Sequence, residues 1–146
     1  MTEAQTSPIR PTDNDARALA RALMDQARFA ALAVLMPGSA MPMVSRIAFA
    51  TTPDLAPLTL ISDLSAHTTA LRENPQCSIL VGKPGEKGDP LTHPRLTLQA
   101  QAVFIRKGDA EYPGLRDHYL SINPKATRYI DFGDIAFARF DVTEAY

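Results

Sequence analysis

Apolar and polar residues alternate most regularly in residues 96–104, which read LTLQAQAVF. Leucine, alanine and phenylalanine occupy every second position, and threonine and glutamine occupy most of the positions between them. This period of two predicts a β-strand with one buried face and one face in contact with water.

A helical period begins at Thr12, where alanine and leucine recur on one face of the segment TDNDARALARALMDQARF and charged residues lie on the others. This pattern predicts an amphipathic helix. Residues 1–11 contain two prolines and no periodicity, so we expect a flexible N-terminal arm followed by a single domain over residues 12–146. Three further helical segments are predicted at residues 65–73, 110–121 and 125–129.

Five more short apolar segments, each bounded by turn-forming residues, read as strands. With the alternating segment they make six predicted strands: residues 29–36, 43–50, 58–62, 76–83, 96–104 and 135–142. Most of the connections are too short for a helical crossover, which favours antiparallel pairing. The expected fold is therefore an α+β, mainly β, six-stranded antiparallel barrel with peripheral helices, and a doubly wound parallel sheet is the weaker alternative.

Composition narrows the classes of function. The formal net charge is -1, so the overall field does not attract nucleic acid or an anionic membrane. No apolar segment is long enough to span a bilayer, and we expect a cytoplasmic protein. Cys77 lies in the apolar segment QCSILV, where a buried core residue is the expected role. The three histidines lack metal-ligand spacing, so no metal site is predicted.

The segment LISDLSAHTTALRENP, residues 60–75, contains the first candidate site. Ser65 is a suitable N-cap, and the N–H groups that follow it would lie at the positive end of the helix dipole, where an anion can bind. Ser62, His67 and Thr68 add hydrogen-bond donors that suit a phosphate monoester. Two interpretations remain open from these residues alone, namely a phosphate site and an ordinary capped surface helix.

Two arginines stand beside apolar strand positions. Arg46 lies in the apolar segment MVSRIAFA, and Arg95 directly precedes the alternating strand. Their guanidinium groups need a partner, because a buried unpaired charge is costly. One interpretation is a salt bridge to Asp63, Asp89 or Asp134. The other is that Arg46 completes a phosphate clamp with Ser62, since arginine binds phosphate oxygens bidentately.

The order of these motifs resembles the FMN-binding split barrel of the pyridoxamine 5'-phosphate oxidase superfamily, and more closely its branch of HugZ-type haem-utilisation proteins. The similar segments are SRIAFA, ISDLSAHTTAL, NPQCSILV, GDPLTHPRLTLQAQA, HYLSINPKA and YIDFGDIAF. They cover nearly the whole chain after residue 28. The sequence ends at Tyr146, so we expect it to lack the C-terminal domain of the haem-degrading members.

The resemblance implies a homodimer with FMN at the subunit interface and a small-molecule substrate. Arg46 and Ile47 would lie along the ribityl phosphate, Ser62, His67 and Thr68 would complete the phosphate site, and Arg95 would approach the flavin ring. The resemblance also implies that the protein is an FMN-dependent oxidoreductase, and it assigns no catalytic residues. The alternatives are a protein that binds haem in the same groove and a flavin-binding module without catalytic activity.

Overall fold

A computed structural model describes residues 12–146. The chain forms three α-helices and seven strands, with two short 3-10 helices at Pro90–Thr92 and Pro124–Arg128. The helices are α1 (Asn14–Gln26), α2 (Ala66–Glu73) and α3 (Tyr112–Ile122). The strands are β1 (Phe29–Leu35), β2 (Pro42–Ala48), β3 (Ala50–Thr51), β4 (Pro57–Ser62), β5 (Gln76–Val81), β6 (Leu96–Ile105) and β7 (Ile135–Ala145).

All seven strands belong to one antiparallel sheet in the order β2-β1-β5-β6-β7-β4-β3. The sheet curls until β2 approaches β4, although no strand ladder joins these two strands. We call this contact between β2 and β4, which lacks backbone hydrogen bonds between the strands, the seam. The fold is therefore the predicted antiparallel split barrel, with helices at its periphery.

Alternation along the strands determines what faces the barrel interior. In β6 the residues Leu96, Leu98, Ala100 and Ala102 are buried, while Gln99 and Gln101 are exposed. The main core cluster fills the barrel interior with residues from every strand except β3, and it is covered partly by α1 and α2. A second cluster packs α3 against β4 and β7, where the rings of Tyr112 and Tyr119 both contact Phe137.

Side-chain hydrogen bonds close the seam. The buried Thr59 of β4 donates from Oγ1 to the Ala48 carbonyl of β2 at 2.6 Å. Ser45 of β2 contacts His67 of α2, with 3.1 Å between Oγ and Nδ1. No backbone ladder joins β2 directly to β4. These side-chain hydrogen bonds and the core therefore add to the β3–β4 pairing, which the chain reaches one residue after β2, in holding α2 and the two strands together.

We expect Thr59→Val to lower the free energy of unfolding by about 1–2 kcal/mol, because it removes a buried donor and leaves the Ala48 carbonyl without that partner. Thr127→Val is the control, since Thr127 donates to the Pro124 carbonyl at the same 2.6 Å but is exposed. Urea unfolding curves measure both variants, and the control should stay within about 0.5 kcal/mol of the parent. Equal losses in the two variants would contradict this role of Thr59.

Most predicted elements are confirmed, with three differences. The strand predicted over residues 43–50 is divided at Phe49 into β2 and the two-residue strand β3, which pairs with β4. Strand β7 continues to Ala145, beyond the predicted end at residue 142. Ser65 occupies the N-cap position of α2, but its side chain makes no capping hydrogen bond. The predicted arm, residues 1–11, lies outside the described residues.

Candidate functional site

The turn from β4 into α2 is held by its own hydroxyl groups. Ser62 Oγ donates to a carboxylate oxygen of Asp134 at 2.6 Å and accepts the Leu64 N–H at 3.1 Å. Thr68 is fully buried and donates from Oγ1 to the Ser62 carbonyl at 2.6 Å. The structure thus brings Ser62 and Thr68 together, and both hydroxyl hydrogens already have acceptors within the protein. Their role in this structure is to shape the turn.

The first turn of α2 keeps free donors. The backbone N–H groups of Ala66 and His67 donate to no atom of residues 12–146, as is usual for the start of a helix. The His67 ring is half-buried, and burial lowers its pKa below the ordinary 6.5. Its Nδ1 faces Ser45 Oγ, which leaves Nε2 available to a ligand. An anion at the seam would meet an imidazole and two main-chain donors.

Arg46 and Ser45, the residue that contacts His67, lie on opposite faces of β2. Arg46 alternates with the buried Ile47, pairs with Ala31 of β1, and is exposed on the outer face of the sheet. Its guanidinium carbon stands 5.5 Å from the centre of the Phe29 ring. Ile47 itself is 5% exposed and part of the core, so only its backbone can approach a ligand.

Arg95 also lies on the outer face. It precedes the buried Leu96, is exposed, and donates from Nη1 to the Leu91 carbonyl at 2.9 Å. Strands β1 and β5 separate β6 from β2, so Arg46 and Arg95 are three strand spacings apart, or about 14 Å across the sheet. The structure brings neither arginine into contact with Ser62, His67 or Thr68.

The salt bridges considered for these arginines do not form within residues 12–146. Asp63 is paired with Arg106 and Arg72, and the hydrogen bond from Arg106 is the main reason why the Asp63 pKa lies below its ordinary value. Asp134 accepts the Ser62 hydroxyl, and Asp89 accepts the Leu91 N–H. Arg46 therefore keeps its charge available for a ligand.

A groove lies on the outer face near the two arginines, although neither of them lines it. Its lining includes Phe29, which Arg46 approaches, and Gly82, which lies against the Arg95 backbone. Its volume is about 480 Å³, within the range of about 300–1,000 Å³ usual for small-molecule sites. The floor is apolar and includes Phe29, Ala31 and Leu80, while the C-terminal end of α1 and Gly82–Pro84 form its walls. We call this the outer groove. The sequence analysis missed these lining residues.

The remaining chemistry-bearing residues have structural partners. His118 Nε2 lies 2.6 Å from the Thr51 carbonyl, so that nitrogen must donate its hydrogen. Burial raises the pKa of the Cys77 thiol to about 12, which confirms a core cysteine without a reactive thiolate. Within residues 12–146 no group of three His, Cys, Asp or Glu side chains could hold a metal ion.

None of the helices in residues 12–146 combines the length and the apolar character needed to cross a membrane.

Comparison with known proteins gives three informative similarities. The chain is 36% identical over 100 residues to the chloroplastic non-canonical haem oxygenase HOZ of Arabidopsis thaliana; the match covers 68% of this chain and 29% of that protein. The structure of a haem-binding protein from Mycobacterium smegmatis is 26% identical with a TM-score of 0.78, and the match covers 94% of this chain and 54% of that one.

A putative pyridoxamine 5'-phosphate oxidase from Listeria innocua superposes with a TM-score of 0.69 over 92% of this chain and 97% of that one; at 13% identity this similarity concerns the fold alone. No family model matches the sequence. This chain spans less than a third of the Arabidopsis protein and about half of the mycobacterial one. The split-barrel fold and these relatives show that the chain belongs to the split-barrel superfamily related to pyridoxamine 5'-phosphate oxidase.

Proposed function

We propose that this protein binds FMN as a homodimer and uses it in an oxidoreductase reaction on a small molecule. The observation that carries the proposal is the outer groove, an apolar surface bordered by Arg46 and by the loop that ends at Arg95. A flavin nucleotide needs an apolar platform for its ring and cationic donors for its phosphate. The residues present supply both, so the donor set fits the cofactor.

The phosphate end is best accommodated at the free edge of β2. Arg46 approaches this edge from the outer face, and His67 with the first-turn N–H groups of α2 approaches it through the seam. Arg46 makes no salt bridge within residues 12–146, so a phosphate does not compete with an internal carboxylate. In this arrangement Ser62 and Thr68 hold the turn in place, and the backbone of Ile47 lies alongside the ligand.

The ring end would extend across the groove toward Arg95. The separation of about 14 Å between the strands of the two arginines suits a ligand with a charged tail and an extended planar head. A cation beside the flavin ring stabilises its anionic reduced form, and FMN itself would supply the electron transfer. Arg95 would act as an electrostatic and orienting group, and no side chain of this chain is required as an acid or base.

A second copy of the chain would cover the ring. The outer face exposes apolar side chains in neighbouring strands, with Phe29 46%, Val44 66% and Leu80 43% exposed. They lie on β1, β2 and β5, around the outer groove. A two-fold interface through this face would remove them from water and enclose two symmetry-related grooves.

Haem is the second candidate ligand, because the Arabidopsis and Mycobacterium relatives are described as a haem oxygenase and a haem-binding protein. The outer groove would accept its planar ring, and the arginines its carboxylates. Two histidines are poorly prepared to bind the iron, however. His118 donates its Nε2 hydrogen to Thr51, and His93 accepts the Gly85 N–H at Nδ1, which leaves the hydrogen of the neutral ring on Nε2.

Absorption spectroscopy separates the candidates. Purified protein is denatured and its supernatant analysed by mass spectrometry, and refolded or ligand-free protein is then titrated with FMN and, separately, with haem. The proposal predicts a yellow protein that binds one FMN per chain. A Soret band with no FMN binding would replace it with the haem alternative, and a colourless protein that binds neither ligand would leave a non-catalytic module.

A further inference from the structure

His93 organises the long connection between β5 and β6. Its Nδ1 accepts the backbone N–H of Gly85 at 2.7 Å. The ring also packs against the loop's glycines: a Cβ at Gly85 would lie 3.3 Å from His93 Cε1, and a Cβ at Gly88 would lie 3.5 Å from Nε2. The loop is therefore folded around one half-buried imidazole ring.

The same loop carries a cation and a wall of the outer groove. Gly82, Lys83 and Pro84 line the groove at one end of the loop. At the other end, Arg95 donates to the Leu91 carbonyl, and Leu91 belongs to the 3-10 helix that immediately precedes His93. A change in how the loop packs around His93 would therefore move the Arg95 anchor and the groove wall together.

The Gly85–His93 hydrogen bond requires an unprotonated ring. A neutral imidazole has one acceptor nitrogen, and an imidazolium has none, so protonation replaces an attractive contact with two facing donors. The charged groups of the loop are Lys83, Glu86, Lys87, Asp89 and Arg95, and Arg28 lines the groove beside it. Asp89 already accepts the Leu91 N–H, and no carboxylate in residues 12–146 forms a salt bridge with His93.

We propose that His93 is a positioning residue for the outer groove: its neutral ring holds the loop in the arrangement that presents Arg95, and protonation of the ring releases that arrangement. The loop rearrangement is argued from the contacts of His93 alone. The effect of that rearrangement on ligand affinity rests on the proposed function. Protonation of the ring would consequently weaken ligand binding at the groove.

His93→Asn is the diagnostic variant, because its side-chain oxygen can accept the Gly85 N–H near the position of Nδ1 but does not titrate between pH 8 and pH 5. NMR measures exchange of the Gly85 N–H with water, expressed against the intrinsic peptide rate at each pH. We expect this protection to fall about five- to tenfold in the parent protein as its hydrogen bond is lost. It should stay constant in His93→Asn and remain low throughout in His93→Ala.

Equal protection of Gly85 in the parent and His93→Asn at both pH values would overturn the proposal. FMN titrations at pH 8 and pH 5 provide a second, independent readout. His67 and the FMN phosphate also change protonation between these pH values, and they do so in both proteins. We therefore compare the FMN affinity of His93→Asn with that of the parent at each pH, and we expect the ratio to shift at least threefold in favour of the variant at pH 5. An unchanged ratio in a protein that binds FMN would also overturn it. If FMN does not bind at all, the proposed function fails and Gly85 exchange alone decides the role of His93.

Discussion

Arg46→Ala is expected to weaken FMN binding at least tenfold. The side chain offers a planar pair of donors to a phosphate, and losing a charge-assisted contact of this kind costs about 1.5–3 kcal/mol. Arg46 is exposed on the outer face and unpaired with any carboxylate of residues 12–146, so its removal should leave the fold intact. Quenching of flavin fluorescence measures the affinity, and size-exclusion chromatography checks the oligomeric state.

Two further variants make the result specific. Arg46→Lys keeps the charge but loses the fork, so its affinity should fall between those of the parent and Arg46→Ala. Arg128→Ala removes another exposed arginine, from the 3-10 helix Pro124–Arg128, which packs with α3 away from the groove, and this variant should bind FMN normally. If Arg46→Ala bound FMN as tightly as Arg128→Ala, the phosphate would have to lie elsewhere.

Gly82→Ala is expected to be the most destabilising single glycine substitution in this domain. Gly82 has φ +113, a region that other residues rarely adopt, and an added Cβ would stand 2.7 Å from the Pro94 carbonyl oxygen and 2.8 Å from the Arg95 Cα. Both neighbours are backbone atoms and cannot rotate away. The strained φ and the overlap should together cost at least about 2 kcal/mol, measured as a lower free energy of unfolding in urea.

Two other glycines separate the effect of the strained φ from the effect of the steric overlap. Gly108 also has a positive φ, +98, but nothing lies within 4 Å of the position that a Cβ would take, so Gly108→Ala should cost only about 1 kcal/mol. Gly133 has open space and no positive φ, and Gly133→Ala should change stability by less than about 0.5 kcal/mol. Similar losses at Gly82 and Gly108 would mean that the close approach of Gly82 to Arg95 contributes nothing.

Periodicity in the sequence predicted the strands well where the two faces differ in polarity. β6 is the clearest case, because glutamine and threonine mark its outer face and leucine and alanine its inner face. The division of the predicted strand 43–50 into β2 and β3 was not foreseen, since the two residues of β3 are too few to show a period of their own. The outer groove was missed for a related reason. β1 reads FAALAVL and is apolar on both faces, so nothing in it reveals that Phe29 and Ala31 face outward.

The candidate site was predicted as one cluster, and the structure distributes it over two sides of β2. Ser45 and Arg46 are adjacent in a strand, so their side chains must point to opposite faces, and it is Ser45 that contacts His67. This parity was readable in the sequence. The hydrogen bonds that occupy the hydroxyl groups of Ser62 and Thr68 could not be read from the sequence. Asp134 is distant from Ser62 in sequence and approaches it only through the β4–β7 pairing.

A crystal structure of the protein with bound FMN would decide where the ligand sits. We expect the phosphate within hydrogen-bonding distance of Arg46 at the free edge of β2, and the ring over Ala31 and Leu80 beneath a second copy of the chain. Flavin bound instead in the cavity of about 380 Å³ beside Cys77 and Gln101, with Arg46 still free, would contradict the outer groove as the cofactor site.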